Sequence, residues 1–157
     1  MTKNLTNQIL IADDDINHRN FLKKLIKNSK IKEVSKTDDL IKKAKERNYD
    51  LIITDYDMQE DRSDTRVNHG SIIYPEQTGL YAIEKIREFD RETPIIMNSS
   101  GRDIAFIVEV LKKGANSFIS KYASEDEFKE NINKYLNASE EEKIKNYQDL
   151  KKFCDFK

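Results

Sequence analysis

The 157-residue sequence contains little of what secreted and membrane proteins depend on. Its single cysteine, Cys154, excludes an internal disulfide and indicates a reducing compartment. No apolar run approaches the roughly 18 residues that a membrane-spanning helix needs. The polar N-terminal segment, residues 1–8, lacks the apolar stretch of a signal peptide. We therefore expect a cytoplasmic protein that does not enter a membrane.

The chain also has almost no net charge. The 28 Lys and Arg residues nearly balance the 29 Asp and Glu residues, so the formal net charge is -1. A balanced charge gives no case for direct binding of nucleic acid or of an anionic membrane. With 37% hydrophobic and 36% charged residues, the chain is expected to fold around a single core beneath a densely charged surface.

Short apolar runs alternate with longer amphipathic segments along most of the chain. The runs at residues 9–12, 51–54, 95–97 and 118–119, with a weaker one at 31–34, predict five buried strands separated by helices. Asn17 is the candidate cap of the first helix. Because the strands are continuously apolar, they favour a parallel α/β sheet that is covered by helices on both faces. A further amphipathic pattern at the C-terminus predicts an additional helix, with its apolar face at Ile144, Tyr147, Leu150 and Cys154.

The carboxyl ends of the predicted strands carry polar or charged side chains. Asp13 and Asp14 follow the first strand, Asp55 follows the third, and Ser99 and Lys121 follow the last two. Ligand sites of parallel sheets lie beyond the carboxyl ends of the strands, so these side chains are expected to share one site. Clustered carboxylates repel one another unless a cation neutralises them, and the pattern therefore predicts a divalent metal ion.

The same residues form a plausible phosphoryl-transfer site. Asp13 and Asp14 are candidate ligands of Mg²⁺, which combines few carboxylates with waters and phosphate oxygens. Asp55 could attack a phosphorus atom and become an aspartyl phosphate, while Ser99 and Lys121 contact the phosphoryl oxygens. Each residue alone also fits an ordinary cap, turn or surface position. Their joint occurrence at successive strand ends favours the functional interpretation.

Four segments of the chain also resemble a known family. The segments are ILIADDD at residues 9–15, YDLIITDYDM at residues 49–58, TPIIMNSS at residues 93–100 and KKGANSFISK at residues 112–121. As an ordered set they resemble the receiver domains of response regulators in two-component signalling, in particular stand-alone, chemotaxis-regulator-like receivers.

The resemblance implies a fold and a division of the chain. The fold is a flavodoxin-like, doubly wound five-stranded parallel sheet in the order 2-1-3-4-5, with five flanking helices and the extra C-terminal helix. Residues 1–136 would form the receiver domain, with an insertion at about 59–78, and residues 137–157 a helical extension.

The resemblance also implies an activity. Asp55 would accept a phosphoryl group from a histidine kinase or phosphotransfer protein in a Mg²⁺-dependent reaction. Asp13, Asp14 and Asp55, together with the backbone carbonyl of Asp57, would bind the metal ion. The chain would act as a phosphoacceptor signalling protein and not as an enzyme, and its output would be phosphorylation-dependent binding to an unknown downstream protein.

The remaining motif residues match the family's switch. Ser99 would engage the phosphoryl group, the ring of Phe118 would move inward as it does so, and Lys121 would contact another phosphoryl oxygen. The small side chain of Ser100 would leave the path to the phosphoryl group open. Helix 4, strand 5 and helix 5 form the family's common partner or dimer surface, so a homodimer is also possible.

Two departures from the family pattern lie beside this site. The loop after Met58 is longer by about fifteen residues, so it could control kinase access or be a tolerated surface insertion. Tyr122 replaces the family's proline after Lys121. A cis bond without proline costs about 2.5–4 kcal/mol, so this peptide is either trans with a rearranged loop or supported by unusual packing.

Two other functions stay open at the level of sequence. Asp55 and Asp57 also resemble the nucleophile and general acid of haloacid-dehalogenase-type phosphatases, although the acidic pair occurs here before the nucleophile instead of after it. A degenerate receiver that acts as a phosphorylation-independent adaptor is the other alternative. His18 is expected on a helix surface, and Cys154 is expected to be half-buried and unreactive.

Overall fold

The computed structural model describes residues 6–58, 78–101 and 103–154. Most of the predicted insertion at 59–78 therefore lies outside the described residues, with the exception of Thr78. The strands are β1 (Asn7–Ala12), β2 (Ser29–Val34), β3 (Leu51–Thr54), β4 (Ile95–Ser99) and β5 (Ser117–Ser120). The helices are α1 (Ile16–Leu25), α2 (Thr37–Glu46), α3 (Gly79–Arg87), α4 (Ile104–Lys113), α5 (Glu125–Leu136) and α6 (Glu140–Phe153).

The strands form one parallel sheet in the order β2-β1-β3-β4-β5. This confirms the predicted flavodoxin-like topology and the additional C-terminal helix. The weak apolar run at 31–34 lies within the six-residue strand β2. Strand β2 is at the edge of the sheet and is only partly buried, which explains its mixture of lysine and isoleucine.

Side chains of the central strands alternate between two apolar layers. In β1, Leu10 packs in the layer that also contains residues of α2, α3 and α4, whereas Ile9 and Ile11 pack in the layer of α1 and α5. Successive side chains of a strand point to opposite faces of the sheet, so continuously apolar strands can fill both layers. The two layers leave the carboxyl ends of the strands free to carry the polar residues.

Local capping interactions define where the helices begin and end. The sequence suggests Asn17 as the cap of α1, but the structure assigns this role to Asp15, whose side chain accepts a hydrogen bond from the backbone N–H of Asn17. Helix α4 ends at Gly114, whose φ of 122° is in the region that favours glycine. A reciprocal capping box between Ser139 and Glu142 starts α6.

Helix α6 packs at the end of the molecule away from the carboxyl ends of the strands. Its buried residue Leu150 lines a cleft together with Leu111 and Ala115, near the start of β5, and the C-cap residue Cys154 is also buried. Cys154 is therefore more buried than the sequence suggests. None of the helices in the described residues is both long and apolar enough to cross a membrane.

Candidate functional site

The parallel register brings the acidic strand ends together. The backbone N–H of Asp55 donates to the carbonyl of Ala12 over 2.8 Å, and that of Asp13 donates to the carbonyl of Val34 over 3.1 Å. These bonds continue the sheet for one residue beyond β1 and β3. Asp13 and Asp55 are therefore next to each other on adjacent strands.

Three carboxylates form a compact cluster at this edge. Asp13, Asp14 and Asp55 each contribute one oxygen atom to a set in which all atoms lie within 4.8 Å of one another. Asp13 and Asp55 are only 2% and 5% exposed, and Asp14 is half-buried. Burying like charges at this separation costs free energy, so the cluster favours a positively charged partner.

Lys121 supplies one positive charge from the end of β5. Its Nζ lies 2.9 Å from Oδ2 of Asp13 and 3.0 Å from Oδ2 of Asp55. The backbone N–H of Lys121 donates to the carbonyl of Ser99 over 3.0 Å, which places both residues at the same end of the sheet. The structure therefore brings the predicted lysine and the predicted serine to the carboxylate cluster.

Burial and charge repulsion shift the protonation of this cluster. Desolvation raises the pKa of Asp55 to about 7, and the neighbouring Asp13 carboxylate contributes to the increase, while Lys121 acts in the opposite direction. Burial disfavours the charge of Lys121, but Asp55 and Asp13 hold the pKa of its ammonium group above the usual range. Near neutral pH the site therefore favours a proton or a further cation at Asp55.

The donor atoms of the cluster fit a hard divalent cation. Carboxylate oxygens are the ligands that Mg²⁺ accepts, and the ion requires only one or two of them alongside waters and phosphate oxygens. Asp13, Asp14 and Asp55 provide such oxygens in a partly enclosed position. The chemistry of the residues present is therefore compatible with the Mg²⁺ that the sequence predicts.

Arg19 supports the acidic end of β1, although the sequence did not single it out. Its Nη1 donates to the backbone carbonyl of Asp13 over 2.7 Å, and its Nε bonds Glu33 over 3.2 Å. The Asp13 side chain also accepts from the N–H of Asp15 over 2.9 Å. A basic residue in the first turn of the helix that follows an acidic strand end is a sequence signal that could have suggested this role.

Close backbone packing holds the other side of Asp55. The N–H of Gly79 donates to the carbonyl of Tyr56 over 2.7 Å, and Asp57 forms an antiparallel bridge with Thr78. A Cβ atom at Gly79 would lie 1.8 Å from the backbone oxygen of Asp55, so glycine is required there. The two ends of the predicted insertion thus meet immediately beside the candidate acceptor.

The predicted switch residues occupy β4 and β5. Ser99 is 5% exposed, and its Oγ accepts a hydrogen bond from the N–H of Gly101 over 3.3 Å. Phe118 is half-buried, and its ring packs edge-on against the ring of Phe106 at a centroid separation of 5.9 Å. The sequence did not single out Phe106 or Gly101 as part of this region.

The Lys121–Tyr122 peptide is trans, so the absence of proline is accommodated without a cis bond. The N–H of Tyr122 donates to Oγ of Ser120 over 3.1 Å, and its side chain is 84% exposed. Of the two arrangements that the sequence leaves open, the trans one is therefore present. Tyr122 presents its ring to solvent beside the site.

His18 is not on a solvated helix surface, which corrects the sequence-based expectation. It is half-buried, its ring packs 5.5 Å from that of Phe21, and its Nε2 hydrogen-bonds the side-chain oxygen of Asn98. Asn98 in turn donates to the carbonyl of Ile119 over 2.9 Å. This chain of bonds connects α1 with β4 and β5 and does not reach the carboxylate cluster.

Comparisons with known proteins agree with this arrangement. The family model described as "Response regulator receiver domain" matches residues 72–133, a segment that contains Ser99, Phe118 and Lys121. The chemotaxis protein CheY of Bacillus subtilis (strain 168) is 27% identical over 136 residues, which cover 85% of this chain and 100% of that relative. This alignment covers more of the chain than the family model does.

Solved structures share the fold. A CheY-like response regulator receiver domain protein from Methanospirillum hungatei JF-1 matches with a TM-score of 0.70 and 18% identity, over 89% of this chain and 98% of that one. The receiver domain of a sensor histidine kinase from Pseudomonas aeruginosa PAO1, solved with a magnesium ion in its active-site cleft, matches with a TM-score of 0.67 and 17% identity, over 85% and 99%.

The sequence motifs, the order of the strands and these comparisons lead to the same family. The predicted resemblance to response-regulator receiver domains is confirmed by the matching segment at residues 72–133 and by the similarity to the chemotaxis protein CheY, and the fold agrees with it.

Proposed function

We propose that this receiver domain accepts a phosphoryl group on Asp55 from the phosphohistidine of a histidine kinase or phosphotransfer protein. The observation that carries the proposal is the buried position of Asp55, within a carboxylate cluster and 3.0 Å from the ammonium group of Lys121. A nucleophilic carboxylate, a fixed cation and oxygen donors for a metal ion are the parts that phosphoryl transfer to a side chain requires.

The transfer exchanges one bond for another. A carboxylate oxygen of Asp55 attacks the phosphorus atom, an O–P bond forms, and the P–N bond breaks with its electron pair returning to the imidazole nitrogen of the donor. The N–H of Tyr56 donates to Oδ1 of Asp55 over 2.7 Å and so orients the attacking group. Lys121 holds positive charge next to the oxygens that become more negative during the reaction.

Asp13, Asp14, Asp55 and the backbone carbonyl of Asp57 would hold Mg²⁺ in this reaction. When bound, the ion neutralises the negative charge that the carboxylates and phosphoryl oxygens bring together. The oxygen donors of the cluster support this assignment. The magnesium ion in the structurally similar receiver domain from Pseudomonas aeruginosa supports it by analogy.

The output would be a change at the switch residues followed by partner binding. Ser99 would donate its hydroxyl to a phosphoryl oxygen, and the half-buried ring of Phe118 would move inward. The surface of α4, β5 and α5 would then bind a downstream protein or a second copy of the chain. Ile104 and Val108 on α4 are 80% and 42% exposed, which suits such a contact.

This proposal assigns residues 1–136 to the receiver domain and residues 137–157 to its helical extension. Helix α5 ends at Leu136, and α6 begins at Glu140 and packs at the opposite end of the molecule from the acidic site. The extension is therefore not placed to contact the phosphoryl group. The protein acts as a phosphoacceptor and is not itself a turnover enzyme.

Acetyl phosphate with Mg²⁺ tests the proposal, with intact-protein mass spectrometry as the measurement. The wild type should gain the mass of one phosphoryl group, and Asp55→Asn should not. Asp50→Asn is a matched control because Asp50 immediately precedes β3, at the opposite end of the strand from Asp55. It should be modified like the wild type.

Two outcomes would contradict the proposal in different ways. A wild type that stays unmodified with Mg²⁺ and acetyl phosphate would favour a phosphorylation-independent adaptor. Many turnovers per chain on small phosphomonoesters would favour a phosphatase that uses Asp55 and Asp57.

A further inference from the structure

One aromatic ring contacts three segments that surround the proposed phosphorylation site. Phe106 lies in the first turn of α4, and its ring packs edge-on against Tyr56 at 5.2 Å and against Phe118 at 5.9 Å. On a third side it covers Gly101, where a Cβ atom would lie 2.5 Å from the ring. The backbone of Phe106 is itself fixed, because its N–H donates to the capping side chain of Asp103 over 2.7 Å.

The contact with Tyr56 leads directly to the acceptor carboxylate. The N–H of Tyr56 donates to Oδ1 of Asp55 over 2.7 Å, so the orientation of the carboxylate depends on the backbone position of Tyr56. The Tyr56 ring lies nearly perpendicular to that of Phe106, with an interplanar angle of 85°. Such edge-to-face pairs hold both rings in a preferred geometry. Phe106 therefore restrains the residue that orients Asp55.

The contact with Gly101 leads to the hydroxyl of Ser99. The N–H of Gly101 donates to Oγ of Ser99 over 3.3 Å. Because this bond uses a lone pair of the hydroxyl, the hydroxyl proton is left available for donation to another acceptor. The ring of Phe106 packs on Gly101 and limits the positions that this N–H group can adopt.

We infer that Phe106 is a positioning residue that holds Asp55, through Tyr56, and Ser99, through Gly101, in the arrangement that binds a phosphoryl group. The inference rests on the proposed function of Asp55. Phe106 acts on the acceptor carboxylate and on the serine hydroxyl through the backbone N–H groups of Tyr56 and Gly101. The metal-binding strand end at Asp13 is held separately by Arg19.

Beryllofluoride, a mimic of the aspartyl phosphate, separates positioning from general stability. Phe106→Ala should weaken beryllofluoride binding in saturating Mg²⁺ by about tenfold, because Asp55 and Ser99 are then held less firmly and must be ordered when the mimic binds. The affinity for Mg²⁺ alone should fall by less than the affinity for beryllofluoride, because the ring supports neither Asp13 nor Asp14 among the proposed metal ligands. Phe106→Leu, which keeps most of the apolar volume, should recover most of the beryllofluoride affinity.

Phe21→Ala provides the matched control. Phe21 is also half-buried and packs edge-on against Phe128 at 5.4 Å, but in the layer on the other face of the sheet. This variant should lose thermal stability to a similar extent and keep the beryllofluoride affinity of the wild type. Equal weakening in the two variants would mean that Phe106 has only a structural role, and would overturn the inference.

A compensation experiment examines the contact with Gly101. Gly101→Ala places a methyl group against the ring of Phe106 and should also weaken beryllofluoride binding. In the Phe106→Ala background the same substitution meets no ring, so it should cause little additional loss. Fully additive losses would show that the two residues do not act through each other, and would overturn the inference.

The wild type distinguishes this inference from the proposed function. If the wild type itself fails to bind beryllofluoride with Mg²⁺, the proposed function is wrong and the role of Phe106 is wrong with it. If the wild type binds beryllofluoride and Phe106→Ala binds it equally well, only the positioning role is wrong.

Discussion

The two ends of the sheet bury charged groups in opposite ways. At the carboxyl ends of the strands, Asp13 and Asp55 are buried side by side and share the ammonium group of Lys121. At the other end, the buried guanidinium of Arg87 donates to four neutral oxygens within 3.0 Å. These acceptors are the backbone carbonyls of Asp90, Thr93 and Gly114 and the side-chain oxygen of Asn116.

The two ends differ in what the buried charge does: Arg87 has a structural role, whereas the charge of Asp55 is available for binding. The hydrogen bonds of Arg87 are directed at fixed carbonyl groups, so the residue ties α3 to the start of β4 and to the turn before β5. Burial still lowers the pKa of Arg87 to about 10, which leaves it charged at neutral pH. At the acidic end the pKa of Asp55 is raised to about 7 instead. The buried carboxylates at the acidic end therefore destabilise the fold and favour the binding of a cation.

The largest expected effect comes from removing the structural charge. Arg87→Ala should lower the free energy of unfolding by about 3–5 kcal/mol, because it leaves three buried carbonyls without their donor and opens a cavity. Arg91→Ala, at an exposed position four residues later, should change stability by less than about 0.5 kcal/mol. Urea denaturation measures both values. If Arg87→Ala lowered the free energy of unfolding by less than about 1 kcal/mol, the buried charge of Arg87 would not have the structural role assigned to it.

Removing the negative charge of the proposed acceptor, Asp55, should stabilise the fold instead of destabilising it. Asp55→Asn should raise the free energy of unfolding by about 1–3 kcal/mol at pH 8 without divalent cations, because it removes a buried charge next to Asp13. The same substitution should abolish phosphorylation. Asp50→Asn, at the exposed position just before β3, should give no comparable gain. Denaturation of Asp55→Asn at a lower urea concentration than the wild type would contradict this account.

The dependence of stability on pH follows from the raised pKa of Asp55. Between about pH 4 and pH 7 the folded protein retains a proton at Asp55 that the unfolded chain has released, so stability should fall as pH rises. The decrease from this carboxyl should be about 1–3 kcal/mol in the absence of divalent cations. It should be much smaller in Asp55→Asn. Urea denaturation at several pH values provides the test, and equal slopes in both proteins would exclude Asp55 as the source.

A smaller effect on stability is expected from the substitution of Lys121, the cation at the acidic end. Lys121→Met should lower stability by about 1 kcal/mol at pH 8 without Mg²⁺, because Asp13 and Asp55 then lose their shared positive charge. Mg²⁺ should stabilise this variant more than it stabilises the wild type, since the ion replaces the missing charge. Thermal denaturation with and without Mg²⁺ measures the difference. An equal Mg²⁺ effect on both proteins would contradict the neutralising role of Lys121.

Much of the fold and of the candidate site could be predicted from local sequence patterns. The apolar runs identified the strands of the sheet, and the residues immediately after them identified Asp13, Asp55 and Lys121. This succeeds because parallel strands place their carboxyl ends at one edge whatever the details of packing. The cap of α1 was assigned to Asn17 instead of Asp15, since both residue types suit that role and only the backbone conformation distinguishes them.

Residues that act over long sequence separations were not predicted. Arg87 bonds Asn116 across 29 positions, and His18 bonds Asn98 across 80. In the sequence, Phe106 is one apolar residue of an ordinary amphipathic helix. Only the packing of α4 shows that its ring lies between Tyr56 and Phe118. Apolar periodicity reports that a side chain is buried, but it does not report which side chains it meets.

The sequence by itself determined the order of strands and helices, the acidic strand ends and the resemblance to receiver domains, because each depends on local periodicity or on residues next to a strand. Only the tertiary structure decided how charge is satisfied at the two ends of the sheet and which ring restrains the loops around Asp55. Those features depend on distances between elements that are remote in the chain, and the packing of the helices on the sheet sets these distances.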